Sequence, residues 1–226
     1  MSSTLYQVST AAIPILLAIT VHEVAHGFVA RHYGDPTAAE AGRLTLNPLK
    51  HIHPFGTVIL PGLLYLSGLP PFGFARPVPV DFRRLANPKS DMVWVAAAGP
   101  SVNLFMAIAS ALLLNLTVFM SGEVQHWFVD MLQIGVAANL VLCVFNMIPL
   151  PPLDGGRVAI GLLPVPLARR LAGLERYGML IIIGVLVIPA VLSSYLNISF
   201  YPVWSIIQPV IKFLYYGIMN LFLFVS

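Results

Sequence analysis

Charge is what this chain has least of: only 9% of its 226 residues are Asp, Glu, Lys or Arg. With 58% hydrophobic residues and a mean hydropathy of +0.86, it has too little polar surface to be a soluble monomer. The 12 basic and 9 acidic residues leave a net charge of +3, which does not argue for a nucleic-acid partner. A single cysteine, Cys143, excludes an intramolecular disulfide, and its place in an apolar run reads as a small buried residue. No internal repeat is visible, and no segment is polar enough for a separate soluble domain. No basic region precedes the first apolar run, which at about 20 residues is too long for a signal-peptide core. That run is expected to be retained.

What the chain does have is apolar runs of bilayer length, at 8–30, 91–120, 131–148, 178–192 and 203–225. They predict an all-α polytopic membrane protein of about five transmembrane helices, organised as one domain over 1–226. Between the first and second full spans, 42–54 carries two prolines and alternates irregularly, which suits strands and turns. Residues 57–69 are apolar but short and interrupted by Pro61, Gly62 and Gly68, so a re-entrant segment or a β-hairpin is expected there. Charge agrees: Arg31, Arg43 and Lys50 precede this segment and Arg76, Arg83, Arg84 and Lys89 follow it, and the positive-inside rule places both groups on the cytoplasmic side. The alternate prolines of Arg76-Pro77-Val78-Pro79-Val80 suit an edge strand or an extended linker. Connector 121–130 contains Glu123 and Asp130 but no Lys or Arg, as an outer loop should. Lys212, inside the last run, has no functional account and is expected to snorkel.

The first run contains His22-Glu23-Val24-Ala25-His26. On a helix the two histidines stand one turn apart on one face, about 6 Å along the axis, so both imidazoles can reach one metal ion. Glu23 is the neighbouring carboxylate, placed to move a proton on a metal-activated water. Ionisable groups at membrane depth each carry an insertion penalty of roughly 2.5 kcal/mol or more, which a bound cation and a local water pocket would remove. Further on, 146–157 breaks a span with three prolines before Asp154-Gly155-Gly156-Arg157. Asp154 in that broken turn is the natural third ligand, because two histidines, one carboxylate and an open position form a catalytic zinc set. A turn residue or a partner for Arg157 is its plainer reading. Both halves fall at one depth, since His22 and His26 lie roughly 8–13 Å in from Arg31 and the broken turn ends a span running the same way. Asn103, after Gly99-Pro100-Ser101-Val102, is a polar side chain at membrane depth that should bond to another helix, a water or a substrate.

Taken together, the H-E-x-x-H motif, the 42–56 segment, 72–80, Gly99-Pro100-Ser101-Val102-Asn103 and Asn146-Met147-Ile148-Pro149 through Asp154-Gly155 resemble the site-2 protease family of intramembrane zinc metalloproteases. The match covers most of the chain. The resemblance implies one zinc ion held by His22, His26 and Asp154, and Glu23 as the catalytic carboxylate. It also implies a role near the reaction centre for Asn146, as a donor to a developing oxyanion, and for Gly99 and Asn103, as substrate-contacting residues. The implied activity is hydrolysis of peptide bonds within or near transmembrane segments of membrane-protein substrates. The implied setting is a bilayer, the plasma (inner) membrane of a prokaryote, with the site toward the cytoplasm. His53 departs from the family pattern, standing where relatives place an acidic residue; a secondary ligand, a gate or a lone surface histidine are its readings. Relatives often carry a PDZ or CBS domain, and this chain is similar to the compact branch without one. A substrate helix must unwind before cleavage, and the extended 42–80 region is expected to offer it a strand edge. The rivals are a divalent-metal transporter and a catalytically silent binder of membrane helices.

Overall fold

The protein is described here by a computed structural model that covers residues 3–66, 73–196 and 201–224. Helix α1 (Ser3–His32) carries the first apolar run through Pro14 and stops where Gly34 turns to a φ of +102°, a backbone position that favours glycine. Buried Asp35 then accepts hydrogen bonds from Thr37 at the start of α2 (Thr37–Glu40) and from the Asp81 amide, 2.7 Å away. This carboxylate fixes the end of α1 to a segment more than forty residues later. Asp81 itself caps the turn Phe82–Arg84, and the Arg83 side chain beside it holds its carboxyl below the ordinary value.

Two expectations for the region after α2 are corrected. Among the described residues there is no strand: 42–54 folds as turns, with Asn47 capping a short helical turn at Pro48–Lys50. The following apolar segment is no β-hairpin, because it is helical from Pro54, first as a π-helical turn over Pro54–Ile59 and then as α3 (Leu60–Leu66). His53 initiates it, its Nδ1 accepting from the Gly56 amide at 3.0 Å, and proline at the first helical position suits that start. The remainder of the expected 57–69 segment lies outside the described residues. Residues 73–80 are extended and hang on this region through Phe74 N to Gly56 O (3.0 Å) and Arg76 N to His51 O (2.9 Å). They do not continue into a ladder, because Pro77 and Pro79 lack the donors a ladder needs.

The remaining helices are α4 (Pro88–Leu114), α5 (Gly122–Asn146), α6 (Asp154–Leu162), α7 (Val165–Ala172), α8 (Gly178–Leu196) and α9 (Pro202–Phe222). Helix α5 begins nine residues before the expected 131, so connector 121–130 is helical from Gly122 on: Gly122 stands at φ +65° and Glu123 sits in the first turn, where its charge complements the helix dipole. The N-terminal end of this span is polar but still helical. Among the described residues four segments are long and apolar enough to cross a membrane: Thr4–His32, Pro88–Phe119, Gly122–Asn146 and Val165–Ser193. Helix α9, which covers most of the expected fifth span, is not among them. Residues 197–200, between α8 and α9, lie outside the described residues.

Helices α1, α4 and α5 pack on one another, and α6 lies against α4. Close approach rests on small residues: Ala107 and Ala111 of α4 are fully buried against Val136 and Leu140 of α5, with Ile207, Ile211 and Ile218 of α9 on the other side. In lipid such packing and interhelical hydrogen bonds hold helices together, since lipid tails are as apolar as leucine. Large exposed side chains such as Phe28, Phe105, Leu180 and Phe213 face outward, as in a bilayer-facing surface.

Candidate metal centre

Three donor atoms from two distant parts of the chain meet beside α4. His22 Nε2 and His26 Nε2, one turn apart on α1, are 3.1 Å from each other and 3.1 and 3.3 Å from Asp154 Oδ2. Ligands about 2.0–2.1 Å from a tetrahedral metal are separated by edges of about 3.3–3.4 Å, so the triangle has the size that zinc requires. Asp154 Oδ2 is buried and makes no hydrogen bond, although both imidazole nitrogens are near it. Such an orphan is expensive in a protein interior unless a cation completes it. Among the described residues this is the one group of three His, Cys, Asp or Glu side chains close enough to hold a metal.

The sequence places Asp154 here by breaking α5 and restarting as α6. Met147 and Ile148 bond back to Cys143 and Phe145, Leu153 bonds to Leu150, and α6 begins with Asp154 itself, its negative charge at the positive end of the helix. Gly155 and Gly156 are needed for this start. A Cβ on Gly155 would lie 2.3 Å from the Met147 carbonyl oxygen, and one on Gly156 2.4 Å from the Pro151 nitrogen.

The other face of each imidazole is tied down. His26 Nδ1 lies 2.7 Å from the Val95 carbonyl oxygen, and His22 Nδ1 lies 2.5 Å from Asn103 Oδ1. An oxygen acceptor at Nδ1 keeps the proton there and leaves the Nε2 lone pair for a metal. Asn103 is fully buried and bonded at both ends, and it stands behind His22. Gly99 lies against the rings themselves: a Cβ there would be 2.5 Å from His26 Nε2 and 2.6 Å from His22 Nε2. Asn146, at the end of α5, donates through its Nδ2 to Leu142 O of its own helix at 3.0 Å. His53 serves as the helix cap described above.

Glu23 meets a partner that sequence reading missed. Its Oε2 accepts from the Val78 amide at 2.7 Å, which brings the extended 73–80 strap against α1. Buried Arg43 holds the same strap by donating to the Arg76 carbonyl oxygen at 2.8 Å. With proline on either side, Val78 supplies the lone backbone donor between Arg76 and Val80, so the Pro-Val-Pro pattern was the available signal. Val78→Pro removes that donor while keeping an extended backbone. It is expected to slow turnover by about 10- to 100-fold, the worth of a hydrogen bond to a charged group, while Val78→Ala stays near wild type. Steady-state cleavage rates of the two variants check it. Asn139 of α5, 1% exposed and bonded to Asn103, was also missed; a second amide inside an apolar span was its signal.

Fold and site thus define a helical membrane protein with a His-His-carboxylate metal centre of the catalytic type. The chain is 40% identical over 187 residues to YwhC of Bacillus subtilis, provisionally named a zinc metalloprotease, with 81% of each chain covered. It is 34% identical over 184 residues to the similarly named Rip2 of Mycolicibacterium smegmatis, covering 77% of this chain and 65% of Rip2. It is 30% identical over 141 residues to the similarly named MJ0611 of Methanocaldococcus jannaschii, covering 61% of this chain and 62% of that one. No family model and no solved structure matches. On its similarity to YwhC over four fifths of both chains, the protein belongs to this family of zinc metalloproteases, in agreement with the resemblance to the site-2 protease family carried by its motifs. The relatives are named for zinc, and the donor set here fits that ion.

Proposed function

We propose that this protein is an intramembrane zinc metalloendopeptidase of the site-2 type, cutting membrane-protein substrates within or near their transmembrane segments. The observation that carries this reading is the zinc-sized triangle of His22, His26 and Asp154 with Glu23 adjacent to it on a membrane-length helix. A zinc ion held there supplies Lewis-acid activation of water and of the scissile carbonyl. The chain's own residues do the rest. Nδ1–H bonds to Asn103 and Val95 keep both rings aimed inward, and α6 presents Asp154. Glu23, steadied by the Val78 amide on one oxygen, takes a proton from water and returns it to the leaving amine. The substrate helix has its carbonyls bonded internally, so it reaches these groups only after local unwinding.

Orientation follows from charge. Every Lys and Arg except Lys212 lies between the C-terminal end of α1 and the first turn of α4, or in and just after α6 and α7, whereas 121–130 has none. The positive-inside rule therefore supports a centre toward the cytoplasmic side, and the prokaryotic sources of the relatives suit a plasma membrane. The test uses detergent-purified protein and membrane-helix substrates. Cleavage that is lost on zinc chelation and regained on adding zinc is expected. Metal flux in liposomes without cleavage would favour the transporter, and helix binding without cleavage would favour the silent relative.

A further inference from the structure

Behind His22 lies a chain of buried amides whose direction is fixed at its far end. Asn139 Nδ2 donates to the Gly135 carbonyl oxygen at 2.9 Å. A carbonyl oxygen only accepts, so the Asn139 amide has one orientation, with its Oδ1 toward α4. That oxygen accepts from Asn103 Nδ2 at 2.8 Å, and the same nitrogen lies 3.2 Å from the Ala18 carbonyl oxygen. Flipping Asn103 would set its oxygen against two other oxygens. Its Oδ1 is therefore committed to His22, at 2.5 Å from Nδ1. Asn103 and Asn139 are 0% and 1% exposed, so water does not relax these choices. The ring nitrogen facing Asn103 must then carry the proton, and Nε2 must present a lone pair.

We propose that Asn139, whose side-chain hydrogen bonds run to Gly135 and Asn103 and to none of the three metal ligands, is a positioning residue for zinc: through Asn103 it locks His22 in the tautomer that binds the ion. The proposal rests on the metal-centre reading above and extends it from α1 and α6 to α5. The two ligands differ in this respect. His26 is set by the Val95 backbone, which no side-chain substitution removes, while His22 depends on a two-residue relay.

The test measures zinc affinity by chelator competition on purified full-length protein, together with thermal unfolding of the metal-free form. Asn139→Leu keeps the volume but removes the acceptor, and zinc affinity is expected to fall about 10- to 100-fold, the usual effect of losing an outer-shell partner. Asn139→Asp, buried and neutral, can donate to Gly135 and accept from Asn103, and is expected to stay within about threefold of wild type. A merely structural role would lower the unfolding temperature and leave the zinc affinity of the folded protein unchanged, and that result overturns the proposal. If the Leu variant does not fold, 15N-histidine NMR of metal-free wild type at mildly alkaline pH decides. Protonated Nδ1 on His22 supports the relay and protonated Nε2 overturns it. Failure of wild type to bind zinc would instead sink the metal centre itself.

Discussion

Glu23→Gln is expected to leave zinc in place and to slow cleavage by about 10²- to 10⁴-fold, the span attributed to a general base. Glutamine matches glutamate in shape, and its amide oxygen can still accept from the Val78 amide, so the strap should stay seated. None of the three ligand atoms is altered. What disappears is the lone pair basic enough to take a proton from water and the acid that returns it. Zinc per chain by elemental analysis and cleavage of a membrane-helix substrate are measured on the same preparation. Loss of cutting with full zinc assigns the proton transfers to Glu23. Wild-type cutting by the variant would move the base elsewhere, and loss of zinc with loss of cutting would make Glu23 part of the metal site.

How far the residues announced this arrangement differs by element. The apolar runs were legible because bilayer length is a strong constraint, and α1, α4 and α5 fall where those runs do. The start of α5 was not, since its polar N-terminal turns break the hydropathy pattern without breaking the helix. Strands and turns were expected at 42–54 from irregular alternation and prolines, and only the turns form, because a chain without ladder partners folds as capped turns, with Asn47 and His53 supplying the caps. His22 and His26 are separated by one helical turn, a local geometry that any helix reproduces. Asp154 is a third case, reached from its broken turn and the need for a third ligand. The roles of Asn103, Asn139 and Val78 depend on the rotation of α4 against α5 and on where a loop crosses α1. No spacing along the chain encodes those two quantities. Gly99 shows the same limit from the other side: its smallness marks close approach, but only the fold reveals that the rings of His22 and His26 are what approaches.

Gly99→Ala follows from that contact and is expected to deplete the metal centre. The added Cβ would lie 2.5 Å from His26 Nε2 and 2.6 Å from both Cε1 and Nε2 of His22, well inside van der Waals contact with the ligand atoms themselves. The rings cannot swing aside cheaply, because each Nδ1 is bonded to a group on α4, Asn103 for His22 and Val95 for His26. Helix α4 cannot back away without carrying those two partners with it. Either movement misaligns Nε2 from the position opposite Asp154. Overpacking typically costs about 1–3 kcal/mol, and because the clash falls on the donor atoms the upper end applies, a loss in zinc affinity of about 100-fold or more. Gly184→Ala is the control, since a Cβ there meets nothing nearer than Ile188 Cδ1 at 3.9 Å and should leave zinc untouched. Chelator competition reads the affinity and circular dichroism verifies that both variants remain helical. A Gly99→Ala protein that stays folded and holds zinc as tightly as wild type would show that α4 does not form the wall of the site, and the geometry assigned to both histidines would have to be abandoned.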